Sequence, residues 1–524
     1  MYLAKKYSSI FSKIFDYLEK GNFTNALQEL DLLNEKSSMN AKEKLEEKII
    51  RTKIYNEIWQ TTKAKNIIFD IWNTISSIKE QFYQNEIYLV MLQTCIQLKE
   101  ENISLELLKR AEYLISTLDQ FSEDEQQYFE ASLAFFLGMY KFRSKNKFRE
   151  AIEHFLDSFK HFEALSNTLG ILESKYWLGN SYFKINNFNE AIEYFKKSLE
   201  LAKNIGNIFW EARSIHYLGK LYSEQELWEI SVEKFNQTVD LYQKLDLPHL
   251  LSGAILEIIS ALIQIKDWNR LEKHLYERIE LSKKYNFTTD YISSNYWLAY
   301  YYEYRGDINK ALEIYQKTLE YLNEIKYLDE IHRCSAHISY LNAHKHGVLS
   351  QDDWTIELRG SSKPWRVVFV CNGNISRSPY AEYMAKKWLT DNFPQYNDQI
   401  IIESLGVLYQ NIEISPKTKT YLLKEGIEDT EIAKHVPRYW EFYPEVCKQA
   451  NIFIVMTGEQ ASLLNFYYPG KAFMLSYVAW GKYESVIDPA VHRSEAKEIF
   501  ENVKAMIFDF MDNLIKLYED TGSK

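Results

Sequence analysis

Small and large apolar positions return every 40 residues through the middle of the chain. Leu178-Gly179, Leu218-Gly219, Ile258-Ile259 and Leu298-Ala299 hold equivalent places, each pair followed three positions on by Tyr182, Tyr222, Leu262 or Tyr302. Ala191, Ser231, Leu271 and Ala311 come next at a common offset, then Phe195, Phe235, Leu275 and Tyr315. A long period built from helically spaced apolar positions predicts stacked helix pairs, with small residues where helices cross and large ones where they interlock. Less regular copies precede these. Leu137-Gly138 goes with Ala151 and Phe155, and Gly21 with Ala26 and Leu30 repeats the spacing of Gly306, Ala311 and Tyr315. Divergent pairs are expected around 42–76 and 83–118 and a last helix near 329–345, which makes about eight pairs over residues 1–345. The apolar run Leu250–Ile265 contains Glu257 and sits in the repeat register, so it reads as a buried helix of the array and not as a membrane span.

The pattern changes after residue 345. Residues 346–363, with Gly347, Ser350-Gln351-Asp352-Asp353 and Gly360-Ser361-Ser362-Lys363, lack sustained periodicity and read as a linker. Trp354, Ile356 and Leu358 alternate within it, so this segment is expected to dock on a neighbouring domain. Four apolar residues, Val367-Val368-Phe369-Val370, then predict a buried parallel strand whose carboxyl end opens into Cys371-Asn372-Gly373-Asn374-Ile375-Ser376-Arg377. Ser378 is expected to cap the following helix, with Pro379 in its first position.

Such a loop turns successive backbone N–H groups inward and adds the partial positive charge of a helix N-terminus, which favours both a phosphate and a thiolate. A cysteine of ordinary pKa ~8.5 is lowered to roughly 3.5–7.5 in this setting, so Cys371 is the expected nucleophile. Arg377 offers a planar fork for two phosphate oxygens and stays charged throughout. Ser378 is placed to donate to the sulfur, and the Asn374 side chain to hold the turn.

The stretch from the strand through Ser378–Glu382 resembles the active-site signature of the low-molecular-weight protein tyrosine phosphatases, and the likeness continues to about residue 518. Ser404-Leu405-Gly406-Val407, His435-Val436-Pro437-Arg438 and the strand-like Ile452–Met456 are similar to further family segments, and Asp488-Pro489 stands where the family keeps its general acid. The resemblance implies a four-stranded parallel sheet in a three-layer α/β domain over residues 364–520. It implies catalytic roles for Cys371, Arg377 and Asp488, and a phosphate-binding loop of Asn372, Gly373, Asn374, Ile375, Ser376 and Ser378. It also implies a cysteinyl-phosphate intermediate, with no metal and no cofactor. Asp488 needs a raised pKa to act as the acid. The 40-residue array resembles the tetratricopeptide repeat with its helices lengthened, which implies an all-α superhelical solenoid whose groove takes a protein or peptide partner.

Departures from the phosphatase pattern shape the expected substrate. Ser376 occupies the position where many eukaryotic members carry a second cysteine, so disulfide protection of Cys371 is absent from the expectation. Ala490-Val491 stand where many members place aromatics, leaving Tyr409 as the candidate wall of the substrate slot. Ile375 is the residue of the tyrosine-directed branch, whereas arginine-directed phosphatases tend to have threonine there. Cys447 lacks a cysteine partner in its domain, which ranks arsenate reduction lower and makes it a packed helix thiol.

Charge and cysteine usage remove other classes. A net charge of −11 and pI near 5.7 argue against nucleic acid as the main partner. Cys95, Cys334, Cys371 and Cys447 are too dispersed for a metal or disulfide framework, and the N-terminus lacks the apolar core of a signal peptide, so a cytoplasmic location is expected. Many of the 39 tyrosines fall at packing offsets of the repeat, which accounts for them as core and groove lining. The expected activity is protein tyrosine phosphatase, targeted or regulated by a partner in the solenoid. The alternative is an adaptor whose C-terminal domain only binds phosphorylated groups.

Overall fold

The computed structural model describes residues 6–36, 39–116, 121–144, 146–327, 354–482 and 484–522, with 330–331, 334–335, 337–338 and 341–342. Most of the expected helix near 329–345, and linker residues 346–353, lie outside the described residues. By its contacts the chain divides into two compact units, Met1–Ala261 and Leu262–Lys524.

The first unit is entirely helical among its described residues. Its most regular pairs are Glu123–Ser144 with Phe148–Ala164, Thr168–Lys184 with Phe188–Ile205, and Ile208–Glu224 with Trp228–Lys244. The periodic glycines explain themselves by volume. A Cβ on Gly138 would lie 2.7 Å from the Phe155 ring, one on Gly179 3.0 Å from Phe195, and one on Gly219 2.8 Å from Phe235. Each missing side chain is the socket for the aromatic of the paired helix, and all three rings are fully buried. The turns are periodic too. Asn146, Asn186, Glu226, Lys266 and Gly306 all have positive φ, as do Ser166, Gly206, Asp246, Asn286 and Lys326. Both hairpin turns of a repeat therefore need one left-handed residue, and glycine marks that position only at Gly206 and Gly306 in the two series.

In the first unit the N-terminal hairpin packs onto later ones. Asn207 Nδ2 donates to Glu19 O at 2.8 Å and Ile208 N to Lys20 O at 3.1 Å, while Thr24 Oγ1 donates to Leu245 O at 2.9 Å. Gly21, at φ +68°, makes the approach possible, because a Cβ there would sit 2.4 Å from Asn207 Oδ1. Beside this contact lies a partly open cavity of about 200 Å³.

The second unit begins with the hairpin elements Trp268–Tyr285, Thr288–Tyr304 and Ile308–Glu324. After them come four parallel strands, β1 (Trp365–Cys371), β2 (Ile400–Gly406), β3 (Ile452–Val455) and β4 (Ala472–Met474), in the order β2-β1-β3-β4. Alternate residues of β1 serve opposite faces. Val367 and Phe369 join the core with helices Arg377–Asn392 and Ala496–Gly522, while Val368 and Val370 pack with Trp440, Cys447 and Leu464. This gives the expected three-layer α/β domain. The linker reading changes in one respect. Trp354–Arg359 is a helix, so Trp354 and Leu358, four apart, share a buried face against Phe510 while Ile356 is exposed. The alternation seen in the sequence was one helical stripe with Ile356 outside it.

Candidate active site

β1 ends at Cys371, whose Sγ is buried at the floor of the loop that follows. Asn374 bends that loop at φ +53°, a conformation asparagine tolerates better than most side chains. The bend is held from three directions. Asn374 Nδ2 donates to Ser378 Oγ at 3.1 Å and to Ser404 Oγ at 2.7 Å, and its Oδ1 accepts from Arg438 N at 2.8 Å. Ser404 in turn donates to Glu382 Oε2. His435 Nε2 lies 3.3 Å from Asn374 O, and burial lowers the pKa of that imidazole. A fully buried amide with its donors and acceptor engaged fixes the loop before any ligand arrives.

Gly406 completes the fit at the end of β2. A Cβ there would meet Gly373 C at 2.8 Å and Asn374 N at 2.9 Å, so only glycine lets the loop backbone lie against this strand. Val407 N donates to Cys371 O, and Leu408 and Tyr409 N both donate to Asn372 O. Tyr409 itself points its side chain half into solvent, 52% exposed, and Ile375 is half-buried.

The helix expected to start at Pro379, capped by Ser378, starts at Arg377, with Ser376 in the cap position and no capping bond from its side chain. Ser378 is not available as a cap because its hydroxyl faces Cys371 Sγ at 3.1 Å and Leu405 O at 3.2 Å. One hydroxyl proton is shared between these two acceptors. Pro379 is accordingly the third helical residue and not the first.

Arg377 is 3% exposed and reaches across to the segment ahead of the last helix. Its Nη1 donates to Val486 O at 2.7 Å and its Nη2 to Asp488 Oδ2 at 2.6 Å, while Nε has no partner among the described residues. Asp488 Oδ1 accepts from Ala490 N at 3.0 Å, which sets the carboxyl's orientation. Cys371, Arg377, Ser378 and Asp488, drawn from 118 residues of sequence, are thus brought together at the carboxyl end of the sheet.

Three contributors escaped the sequence reading. Gln460 is fully buried and donates from Nε2 to Asn372 Oδ1 at 2.6 Å, while its Oε1 accepts from Met456 N. Its signal was present as Thr457-x-x-Gln460, a capping box directly after β3. Asn411 Nδ2 donates to Gly373 O at 2.8 Å, and Val486 contributes only its carbonyl. Neither of these carries a pattern that sequence can flag. Cys447, fully buried with its thiol pKa pushed up by burial, stands apart as a packed residue.

The cavity of the first unit has a different chemistry. Glu57, Glu86, Glu173, Tyr128, Phe135 and Trp210 are among its walls. Glu86 accepts from Tyr7 Oη at 2.9 Å and Tyr128 Oη at 3.0 Å and pairs with Lys53. Burial raises the pKa of Glu57, against the pull of Arg213, and raises that of Glu173 further, with Glu57 adding to the effect. Among the described residues, no group of three or more potential metal ligands forms, and no helix is long and apolar enough to cross a membrane.

Known proteins resemble separate stretches of the chain. Residues 366–521 match the model of the low molecular weight phosphotyrosine protein phosphatases, and residues 170–244 and 293–321 match tetratricopeptide repeat models. The low molecular weight protein-tyrosine-phosphatase Ptp of Acinetobacter johnsonii is 33% identical over 130 residues, 24% of this chain and 80% of that protein. PtpB of Staphylococcus haemolyticus is 28% identical over 128 residues, again 24% and 80%. The structure of the YwlE arginine phosphatase from Geobacillus stearothermophilus aligns at 24% identity over 29% of this chain and 94% of that one, with a TM-score of 0.24. Through residues 366–521 the chain belongs to the low molecular weight phosphotyrosine protein phosphatase family, a cysteine-dependent phosphatase domain carried behind tetratricopeptide repeats.

Proposed function

We propose that the chain is a protein tyrosine phosphatase in which Cys371 attacks phosphorus and Asp488 protonates the leaving oxygen, then activates water against the cysteinyl phosphate. The observation that carries this reading is the pairing of Ser378 with Cys371 Sγ at one end of the loop and of Arg377 with Asp488 at the other. Arg377 would exchange its present acceptors for phosphate oxygens. A buried N–H without a partner costs about 1–3 kcal/mol, and Nε is such a group, so an equatorial oxygen would relieve that cost. The loop Asn372–Ser376 would bind the remaining oxygens through its backbone. Ile375 lines it with an apolar side chain suited to an aryl group, and the tyrosine-phosphatase relatives support the same choice. Tyr409 would be one wall of the slot.

The organisation proposed is a repeat domain over residues 1–345, a connecting segment 346–363 and a phosphatase domain 364–520, with a protein partner taken by the repeats. Glu19, Glu57, Glu86 and Glu173 line that cavity with Lys53, an acidic excess that favours a cationic side chain of that partner. Short lysine-containing and glutamate-containing peptides of equal length test this by calorimetric titration, and equal affinity for both would remove the cationic preference.

The enzymatic reading is tested with the full chain under reducing conditions, on an aryl phosphate and on matched phosphotyrosyl and phosphoarginyl peptides. Turnover should vanish in Cys371→Ser and fall about 10²–10³-fold in Asp488→Ala, with the phosphotyrosyl peptide preferred. Preference for phosphoarginine would move the substrate class. A folded wild type that binds phosphate without turnover would favour the adaptor.

A further inference from the structure

The segment that carries Asp488 is held by residues of the repeat helices, all inside the unit Leu262–Lys524. Gln264, the last residue of the helix Pro248–Gln264, grips both sides of one peptide stretch. Its Nε2 donates to Val491 O and its Oε1 accepts from Arg493 N at 2.7 Å, and Ser494 Oγ donates to its carbonyl at 3.4 Å. Lys266 pairs with Glu495 at 2.8 Å. From the helix Thr288–Tyr304, Tyr300 Oη lies 3.1 Å from His492 Nε2, and Tyr304 stacks on the same imidazole at 6.0 Å.

His492 links these contacts to the acid. It is 1% exposed, and its backbone N–H donates to Asp488 O at 2.9 Å, as Val491 N–H does at 3.0 Å. Burial lowers its pKa, against the pull of Glu495, so the neutral ring is favoured. With Nδ1 facing Glu495 Oε1 at 3.8 Å, the ring proton is assigned to Nδ1 and Nε2 accepts the Tyr300 hydroxyl. Burial raises the pKa of that hydroxyl, and the charges of Arg377 and Asp488 are both felt there. Two side chains from two different repeat helices therefore fix the backbone turn whose first residue is Asp488.

We propose that Gln264 and Tyr300 are positioning residues for Asp488, so that the repeat helices set how well the leaving group is protonated. The proposal rests on reading Asp488 as the general acid. In the step concerned the S–P bond to Cys371 forms, the P–O bond to the leaving group breaks, and the carboxyl proton of Asp488 passes to the departing oxygen, leaving a carboxylate. Displacing the turn weakens only the last of these. A poor leaving group such as phenol needs that proton, whereas p-nitrophenol leaves with little help.

The test measures kcat/KM, which reports the steps up to P–O cleavage and not the later hydrolysis of the cysteinyl phosphate, for the full chain and for Gln264→Ala and Tyr300→Phe on phenyl phosphate and p-nitrophenyl phosphate, with inhibition by inorganic phosphate alongside. Tyr300→Phe removes one hydroxyl and keeps the ring, so it guards against a folding defect in the other variant. Both variants should lose about tenfold in kcat/KM on phenyl phosphate and less than about threefold on p-nitrophenyl phosphate, with phosphate inhibition unchanged. Equal losses on the two substrates, or unchanged rates, would overturn the positioning role, and so would faster turnover, which would make the contact a restraint. An inactive wild type, or an Asp488→Ala variant with no leaving-group dependence, would instead sink the reading of Asp488 itself.

Discussion

The two units each bury an arginine, and they satisfy it in opposite ways. Arg213 in the first unit lies among ring faces, 4.6 Å from Tyr176, 4.8 Å from Trp210 and 5.5 Å from Phe209, with Nε donating to Tyr176 Oη at 3.2 Å. Aromatic faces hold a guanidinium without requiring any acceptor to move, so this is a permanent arrangement. Arg377 in the second unit touches no such cage among its described contacts. It holds one carboxylate and one carbonyl and keeps Nε in hand. Its partners are of a kind that a phosphate can replace at little cost. Arg213 is held by ring surfaces, whereas Arg377 is held by acceptors.

The sharpest way to break that comparison is the same substitution at both places. Arg377→Lys keeps the charge and loses the fork, and should lower kcat/KM on an aryl phosphate by about 10³-fold. Arg213→Lys should leave turnover alone and lower stability to urea by about 1–2 kcal/mol through lost stacking. A loss of turnover at Arg213 would show that the cage serves catalysis after all.

Glycine offers a second pairing of smaller size. Gly406→Ala pushes on the backbone of Gly373 and Asn374, so kcat should drop about 10–100-fold in a chain that remains folded. Gly219→Ala pushes on the Phe235 ring and should cost about 1–3 kcal/mol of stability with kcat preserved, as read from urea melts and steady-state rates.

The smallest effect concerns acid. Burial raises the pKa of both Glu57 and Glu173 above the ordinary value of 4.5, so the folded chain holds more protons there than the unfolded one. Their contribution is therefore most favourable below about pH 4.5 and is lost as pH rises through the raised folded values. Glu173→Gln should flatten that decline by up to about 1.4 kcal/mol per pH unit, measured as unfolding free energy against pH. An unchanged slope would mean that a counter-cation already neutralises the cavity.

Legibility followed distance along the chain. The Gly179–Phe195 and Gly219–Phe235 sockets were readable because each lies within one hairpin and recurs, so repetition averages away the noise of a single sequence. Asn374 and Ser378 were readable for a related reason: a tight anion loop leaves few residue types able to occupy each place. The cap was misassigned because Ser378 had two uses, and only the position of Cys371 Sγ decided between them. The contact of the N-terminal hairpin with later ones was not legible, because Gly21 and Asn207, 186 positions apart, carry no mark of each other.

By itself, then, the sequence determined the repeat, the strand, and the loop with Cys371 and Arg377 at its two ends, since all of these are set by neighbours within a few turns of chain. Tertiary structure alone decided that Ser404, Arg438, Gln460 and Val486, at separations of 30, 64, 88 and 109 residues from their loop partners, close the cradle. It also decided that Gln264 and Tyr300 reach the turn beside Asp488. Each of those contacts is one hydrogen bond that several polar side chains, or any backbone carbonyl, would satisfy equally well. Such a requirement constrains composition too weakly to be read from a single chain, and it becomes visible only when the fold brings the two ends together.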